Sequence, residues 1–201
     1  MGLTLKQAIL KRIFDVVCAF FCLSLTWWII ILAWMVATID TRQNGFFIQQ
    51  RVGRYGRLFN VIKIRTMRKS TDYISTITTS KDPRITSIGR ILRKTKIDEL
   101  PQIINVLIGD MSFVGPRPDV PGFADKLTGS DRRLLTIRPG ITGPATLKYR
   151  NEEEFLANSE DPEAYNNDVI FPDKVKINLE YIENWKFTHD LRYLWYTAFG
   201  N

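Results

Sequence analysis

The sequence predicts an α+β chain that is mainly helical: an N-terminal membrane-inserted helix followed by a small cytosolic domain with a short β-hairpin and interfacial helices. Three observations predict it. No charged residue occurs in the 24 positions from Val16 to Ile39. Apolar and polar residues then alternate on either side of a Gly53–Gly56 turn. Beyond residue 84, apolar residues recur at helical spacing. A chain of 201 residues can bury a core of its own.

The uncharged run, as a helix, is about 36 Å long against roughly 30 Å of bilayer hydrocarbon. A core helix of a soluble protein is rarely apolar all round over such a length. A cleaved signal peptide would be shorter and would end in a small-residue cleavage site. The run therefore reads as a membrane anchor, with residues 1–40 as the anchor and 41–201 as the cytosolic domain. Basic residues flank both ends: Lys6, Lys11 and Arg12 before it, Arg42, Arg51, Arg54 and Arg57 after it. The positive-inside rule draws both ends to the cytoplasm. A single span and a helix that re-enters on the same face both remain open, because no proline precedes Pro83 to break the helix. Ser24 and Thr26 can bond back one turn and bend it modestly. Asp15 is expected to pair with Lys11 or Arg12.

In the remainder, residues 46–51 and 58–64 read as the hairpin strands. Residues 68–82 form a polar loop. The stretch 84–97 reads as a helix, and 98–109 as a second helix that stops at Gly109. Residues 110–122 and 138–145, rich in Pro and Gly, are expected to be rigid loops. Residues 125–137 are expected to be helical, and 151–167 are acidic and polar. The aromatic tail, 173–199, is expected to form one or two helices that either pack in the core or lie at a membrane interface.

Lys and Arg total 28 against 21 Asp and Glu, a net charge of +7. That favours an anionic partner. No nucleic-acid-binding motif accompanies the charge. One histidine and two cysteines, Cys18 and Cys22, one turn apart, argue against a zinc site and for a reducing compartment.

Asp98-Glu99, in KIDELPQ, is the first candidate site. Acidic residues before Pro101 suit a helix start, where they complement the dipole. The same place suits a nucleophile toward phosphorus or a Mg²⁺ ligand. Arg93, Arg117 between two prolines, Arg138 in RPG and Arg150 are candidates for bidentate phosphate binding. Lys63 and Arg65 share one strand face and give a lipid-facing ridge, a second phosphate contact or a solvated face.

Together, KRIFD, GFFIQQRVGRYGRLFNVIKIRTM, DPRITSIGRILRKTKIDELPQIINVLIGDMSFVGPRP and IRPGITGPA resemble the bacterial sugar transferases known as monotopic phosphoglycosyl transferases. The match covers residues 11–150 in the family's order and spacing. The resemblance implies transfer of a phospho-sugar from a UDP-sugar to polyprenol phosphate, giving polyprenol-diphosphate sugar and UMP. It implies a covalent route with Asp98 as nucleophile, and Mg²⁺ as cofactor held by Glu99 with Asp98. It places Arg93, Arg117 and Arg138 on the substrate phosphates. It also implies a re-entrant anchor in the bacterial cytoplasmic membrane, with the catalytic domain on the cytoplasmic face. The expected partners are UDP-sugar, polyprenol phosphate and membrane lipid, without nucleic acid; a homo-oligomer is left open. Two departures stand out. The family's Ser-Pro in the anchor is missing, and its TGWAQ…GR is replaced by TGPATLKYR, where Arg150 can stand for the family arginine. Rival readings are a non-catalytic, membrane-tethered basic adaptor, and direct transfer with Glu99 as general base.

Overall fold

The computed structural model describes residues 2–69 and 82–200, so residues 70–81 of the expected polar loop lie outside the described residues. The first helix, α1, runs unbroken over Leu5–Thr41. Thr4 and Gln7 start it by exchanging side-chain and backbone hydrogen bonds, a capping box. It ends at Arg42, which turns left-handed at φ 56°. Its inner face is made of small residues, Ala19, Ala33 and Ala37, with Ile30, all buried. Small side chains let the helix lie close against the domain along much of its length. Ala19 meets Val61, Ile103, Val106 and Met111, and further along Ile30, Ala33 and Ala37 meet Ile64 and Leu92. The outer face exposes Phe20, Phe21, Leu25, Trp27, Trp28, Ile31 and Leu32. Ser24 and Thr26 donate to the carbonyls of Phe20 and Cys22, at 2.9 and 2.7 Å, as their positions predict.

The hairpin follows: β1, Phe46–Val52, pairs antiparallel with β2, Leu58–Ile64, from Phe46 opposite Ile64 to Val52 opposite Leu58. Then come α2, Ser87–Lys94, a 3-10 turn at Ile97–Glu99, and α3, Gln102–Ile108. The helix expected to reach residue 97 stops earlier, because Lys96 takes a left-handed conformation. Gly109, at φ 99°, ends α3 as expected.

The two Pro/Gly loops are not loops throughout. Each contains a three-residue strand, β3 at Ser112–Val114 and β4 at Gly140–Thr142, and the two pair in parallel. Glycine permits this approach: a Cβ on Gly140 would lie 2.2 Å from the Gly115 nitrogen. Residues 125–137, expected to be helical, hold 3-10 turns at Ala124–Lys126 and Asp131–Thr136 instead. Short helices α4, Pro144–Lys148, and α5, Glu152–Ala157, follow. Next is α6, Pro162–Tyr165, which passes through a π turn at Asn166–Ile170 into α7, Phe171–Glu183. The last helix is α8, Phe187–Phe199. In the aromatic tail Tyr181 and Trp185 are buried, as core packing predicts, while Trp195, Tyr196 and Phe199 are exposed.

Asp15 does not pair with Lys11 or Arg12. It is buried and accepts from Ser112 Oγ at 3.0 Å and the Phe113 N–H at 3.1 Å. Lys11 instead reaches Asp190 on α8 at 2.5 Å, and Tyr181 and Trp185 donate to the same carboxylate. This buried cluster ties the start of α1 to the chain's last two helices. Both free cysteines are half-buried on α1.

Candidate active site

Asp98 and Glu99 lie in the 3-10 turn that leads into α3, with Pro101 at the helix cap. Asn105 on α3 fixes this turn against the hairpin. Its amide donates to Asn60 O at 2.8 Å and accepts from Ile62 N at 3.1 Å. It therefore completes the free edge of β2 as a neighbouring strand would, and brings Lys63 to the carboxylate pair.

The two carboxylates have opposite environments. Asp98 is buried, and its Oδ1 has no hydrogen-bond partner. Burial, then the neighbouring Glu99 charge, push its carboxyl up to about 6, against the pull of Lys63, Arg93 and Lys96. Glu99 Oε1 accepts from Lys63 Nζ at 3.0 Å and Arg117 Nη2 at 2.5 Å. Burial would raise this carboxyl too, but Arg117 and Lys63 outweigh it and hold Glu99 well below the usual carboxylate range. Glu99 in turn raises Arg117, whereas burial lowers Lys63. One carboxylate is thus firmly ionised and held by cations, and the other is bare and ready to titrate.

Arg117 is presented by the loop after β3. Arg51 steadies that loop by donating to Pro118 O at 3.2 Å. Burial and repulsion from Arg117 lower Arg51 to about 10. Next to Arg117, Asp119 is raised by burial to about 6, although Lys174 and Arg51 oppose the shift. Arg93 on α2 pairs with Glu153 on α5, a carboxylate 45% exposed. Lys174 binds both oxygens of Glu152, at 2.6 and 2.7 Å.

The structure therefore brings Lys63, Arg93 and Arg117 around Asp98-Glu99. It does not bring the other three. Arg65 donates to the carbonyls of Asn44 and Phe46, at 2.8 and 3.3 Å, where the chain leaves α1. Arg138 donates to Gly109 O at 2.7 Å, at the opposite end of α3. Arg150 donates to the carbonyls of Tyr196 and Gly200 at the end of α8. Arg51, Asp119, Glu152, Glu153 and Lys174 were not among the sequence candidates. Only Asp119, adjacent to the GPRP motif, carried a local signal.

Among the described residues, no group of three His, Cys, Asp or Glu side chains could hold a metal. Mg²⁺, however, is commonly bound by one or two carboxylates with the rest of its shell from substrate phosphates and water. Asp98, with its unpartnered oxygen, and Glu99, whose Oε2 carries neither of the two cation bonds, fit that donor set.

Comparison with known proteins gives a consistent picture. The sequence profile of the family described as bacterial sugar transferase matches residues 6–200. The chain is 35% identical over 190 residues to the uncharacterized sugar transferase EpsL of Bacillus subtilis, covering 94% of this chain and 86% of that protein. It is 33% identical over 205 residues to the undecaprenyl-phosphate galactose phosphotransferase of Salmonella typhimurium, covering 94% of this chain and 40% of that protein. It is 33% identical over 200 residues to the UDP-glucose:undecaprenyl-phosphate glucose-1-phosphate transferase of Escherichia coli, covering 95% and 40% respectively. The chain thus spans less than half the length of these last two relatives.

Proposed function

The chain belongs to the bacterial sugar transferase family, and from that premise we propose that it transfers a phospho-sugar from a UDP-sugar to polyprenol phosphate through a covalent intermediate on Asp98. The observation that carries the proposal is the asymmetric carboxylate pair: Asp98 buried with a free oxygen, beside a Glu99 held ionised by Lys63 and Arg117.

In the first step an Asp98 oxygen attacks the β-phosphorus of the UDP-sugar. An O–P bond to Asp98 forms, and the bond to the bridging oxygen breaks. UMP leaves with the bond's electron pair. In the second step an oxygen of polyprenol phosphate attacks the same phosphorus, giving polyprenol-diphosphate sugar and restoring the Asp98 carboxylate. A covalent intermediate lets a water-soluble donor leave before a lipid acceptor arrives, so one small site serves both. Arg93 and Arg117 hold phosphate oxygens and stabilise the departing charge. Asp98 and Glu99 are the residues that would hold Mg²⁺, which supplies charge neutralisation at the diphosphate. Direct transfer with Glu99 as general base is disfavoured, because a carboxylate held well below its usual range is a weak base.

UMP release with a panel of UDP-sugars, with and without polyprenol phosphate and Mg²⁺, tests the proposal. One or a few UDP-sugars are expected to release UMP, and only with Mg²⁺. Without acceptor, a stoichiometric sugar phosphate is expected to stay on the protein. No UMP from any donor would sink the proposal.

Glu153 adds a second expectation. Its partly exposed bond to Arg93 is an ion pair worth about 0.2–1 kcal/mol, and a donor phosphate must displace it. Glu153→Gln should therefore lower the donor KM by up to about fivefold, with little change in kcat. A raised KM would show that Glu153 assists binding instead.

For the anchor, we propose that both ends of α1 lie on the cytoplasmic side, with its exposed face in the bilayer. In support, the helix is fastened to one domain from Lys11, on Asp190, to the buried Thr41. An upright span would carry one of those attachments across the membrane. In a Cys18→Ala/Cys22→Ala background, cysteines at Lys6 and Arg57 should both resist an impermeant maleimide added outside cells. Labelling of residue 6 from outside would overturn this topology.

A further inference from the structure

Three arginines that the proposed chemistry leaves aside converge at the far end of α3. Arg12, on α1, donates to the carbonyls of Val106 and Leu107 at 2.6 and 2.8 Å. Arg138 donates its Nε to Gly109 O at 2.7 Å, and Arg54 its Nε to Thr136 O at 2.8 Å. Arg12 lies close over Gly109, where an added Cβ would meet its Nη2 at 3.2 Å. Arg54 and Arg138 line one cleft together with Lys11 and Asp15.

All three guanidiniums are half-buried, and their hydrogen bonds go to neutral carbonyls. Among the described residues no carboxylate forms an ion pair with any of them. The charged neighbours do not compensate. Lys11 is committed to Asp190. Asp15, bonded to the neutral Ser112 and Phe113 donors, is the one carboxylate among the described residues that line the cleft; it favours the charge on Arg138, but burial and the repulsion of Arg12 and Arg54 weigh more. Arg12 and Arg54 both bear on Arg138, which burial and their repulsion lower. Three guanidiniums and Lys11, already spent on Asp190, thus face a single carboxylate, and like charges held together in excess raise the free energy of the fold. The forked donors that remain, the Nη groups of Arg54 and Arg138, suit a phosphate.

We infer that Arg54 and Arg138, with the neighbouring Arg12 adding positive charge, form a second anion site, separate from Asp98, that takes the phosphate of an anionic membrane phospholipid. The position selects the ligand. The cleft is walled by Leu3, just before α1, and by Ala8 near its start, and the neighbouring turns of α1 expose Leu5, Ile9 and Ile13. A ligand there sits beside the part of the chain that meets lipid headgroups. α3, about 10 Å long at 1.5 Å per residue, separates the cleft from Asp98. A phosphate bound in the cleft is therefore neither the donor diphosphate nor the attacking acceptor phosphate. The inference rests on the membrane reading of α1 above. It gives the basic N-terminal flank a specific task, fixing the depth at which the anchor docks.

The test uses the full chain in a neutral detergent, without donor, acceptor or Mg²⁺, so its outcome does not depend on the transferase proposal. Binding of dihexanoyl phosphatidylglycerol is measured beside inorganic phosphate. The expected result is saturable, salt-sensitive binding of the lipid. Arg54→Gln should weaken it by about tenfold or more, and Arg54→Lys by less. Arg57→Gln, at an exposed arginine outside the cleft, should leave it unchanged, with circular dichroism confirming that each variant is folded. Equal binding by wild type and Arg54→Gln would overturn the site. So would an equal loss in Arg57→Gln, which would mean diffuse surface charge. Inorganic phosphate binding as tightly as the lipid would overturn the lipid assignment.

Discussion

Asp98→Asn is expected to abolish both UMP release and the protein-bound sugar phosphate, a loss of about a thousandfold or more. The substitution preserves shape and removes only the proposed nucleophile. It should not cost stability. The folded protein raises Asp98 to about 6, above its ordinary value of 3.8, so folding disfavours the ionised form. That penalty is present above pH 6 and is relieved as pH falls through the raised value. Asn removes it at neutral pH, and the variant should be as stable as wild type or more stable, by on the order of 1–3 kcal/mol. Activity lost while stability is kept marks a strained functional group rather than a structural one. The same carboxyl sets a pH limb. kcat/KM for the donor should fall about tenfold per unit below pH 6 as Asp98 takes up a proton. Asp119, also raised to about 6, is the competing source of such a limb. The limb should persist in Asp119→Asn. Near wild-type UMP release by Asp98→Asn would remove Asp98 from the mechanism.

The local parts of this fold were legible because their signals are local. Residues 58–64 alternate and end at a turn, and the strand falls at Leu58–Ile64 as read. The apolar run predicted a long helix, and α1 extends beyond it at both ends. The parallel pair β3–β4 was not legible. Each strand has three residues, too few for an alternating pattern, and its partner lies 28 positions away in sequence. The glycines that helped suggest loops, Gly115 and Gly140, are what lets the two backbones approach. The site shows the same division. Asp98, Glu99 and Arg117 sit in short motifs with rigid neighbours, so they could be picked out. Lys63 and Arg65 were grouped by strand periodicity, but Arg65 lies just past the end of β2 and turns to the carbonyls of Asn44 and Phe46. Arg51 bonds the Arg117 loop at the Pro118 carbonyl, a contact between segments that no local pattern reveals. Glu153 falls in a stretch that the sequence marks only as acidic and polar, and only the tertiary fold sets it on Arg93.

Glu99→Gln should remove turnover by about a hundredfold or more and, unlike Asp98→Asn, should also destabilise the protein, by about 2 kcal/mol. Glu99 is the shared acceptor for Lys63 and Arg117. A glutamine leaves both cations facing a neutral amide, and their mutual repulsion, already felt at Lys63, goes uncompensated. The β2 end and the Pro116–Pro118 loop then lose their common tie, so Arg117 no longer holds its place beside Asp98. The sign of the pH effect follows. Glu99 is depressed in the folded state, so its stabilising contribution is present above the ordinary carboxylate value near 4.5 and is lost only as pH falls through its depressed value. Wild type should therefore keep this contribution into mild acid, and the gap between wild type and Glu99→Gln should close only in strong acid. A second change separates structure from chemistry. Adding Lys63→Gln removes one of the two stranded cations and should recover part of the lost stability, read by denaturant midpoint. Activity should stay low, because the carboxylate proposed to hold Mg²⁺ is still missing. If the double variant regained turnover together with stability, Glu99 would be only a counter-charge, and the metal-binding role would pass to Asp98 alone.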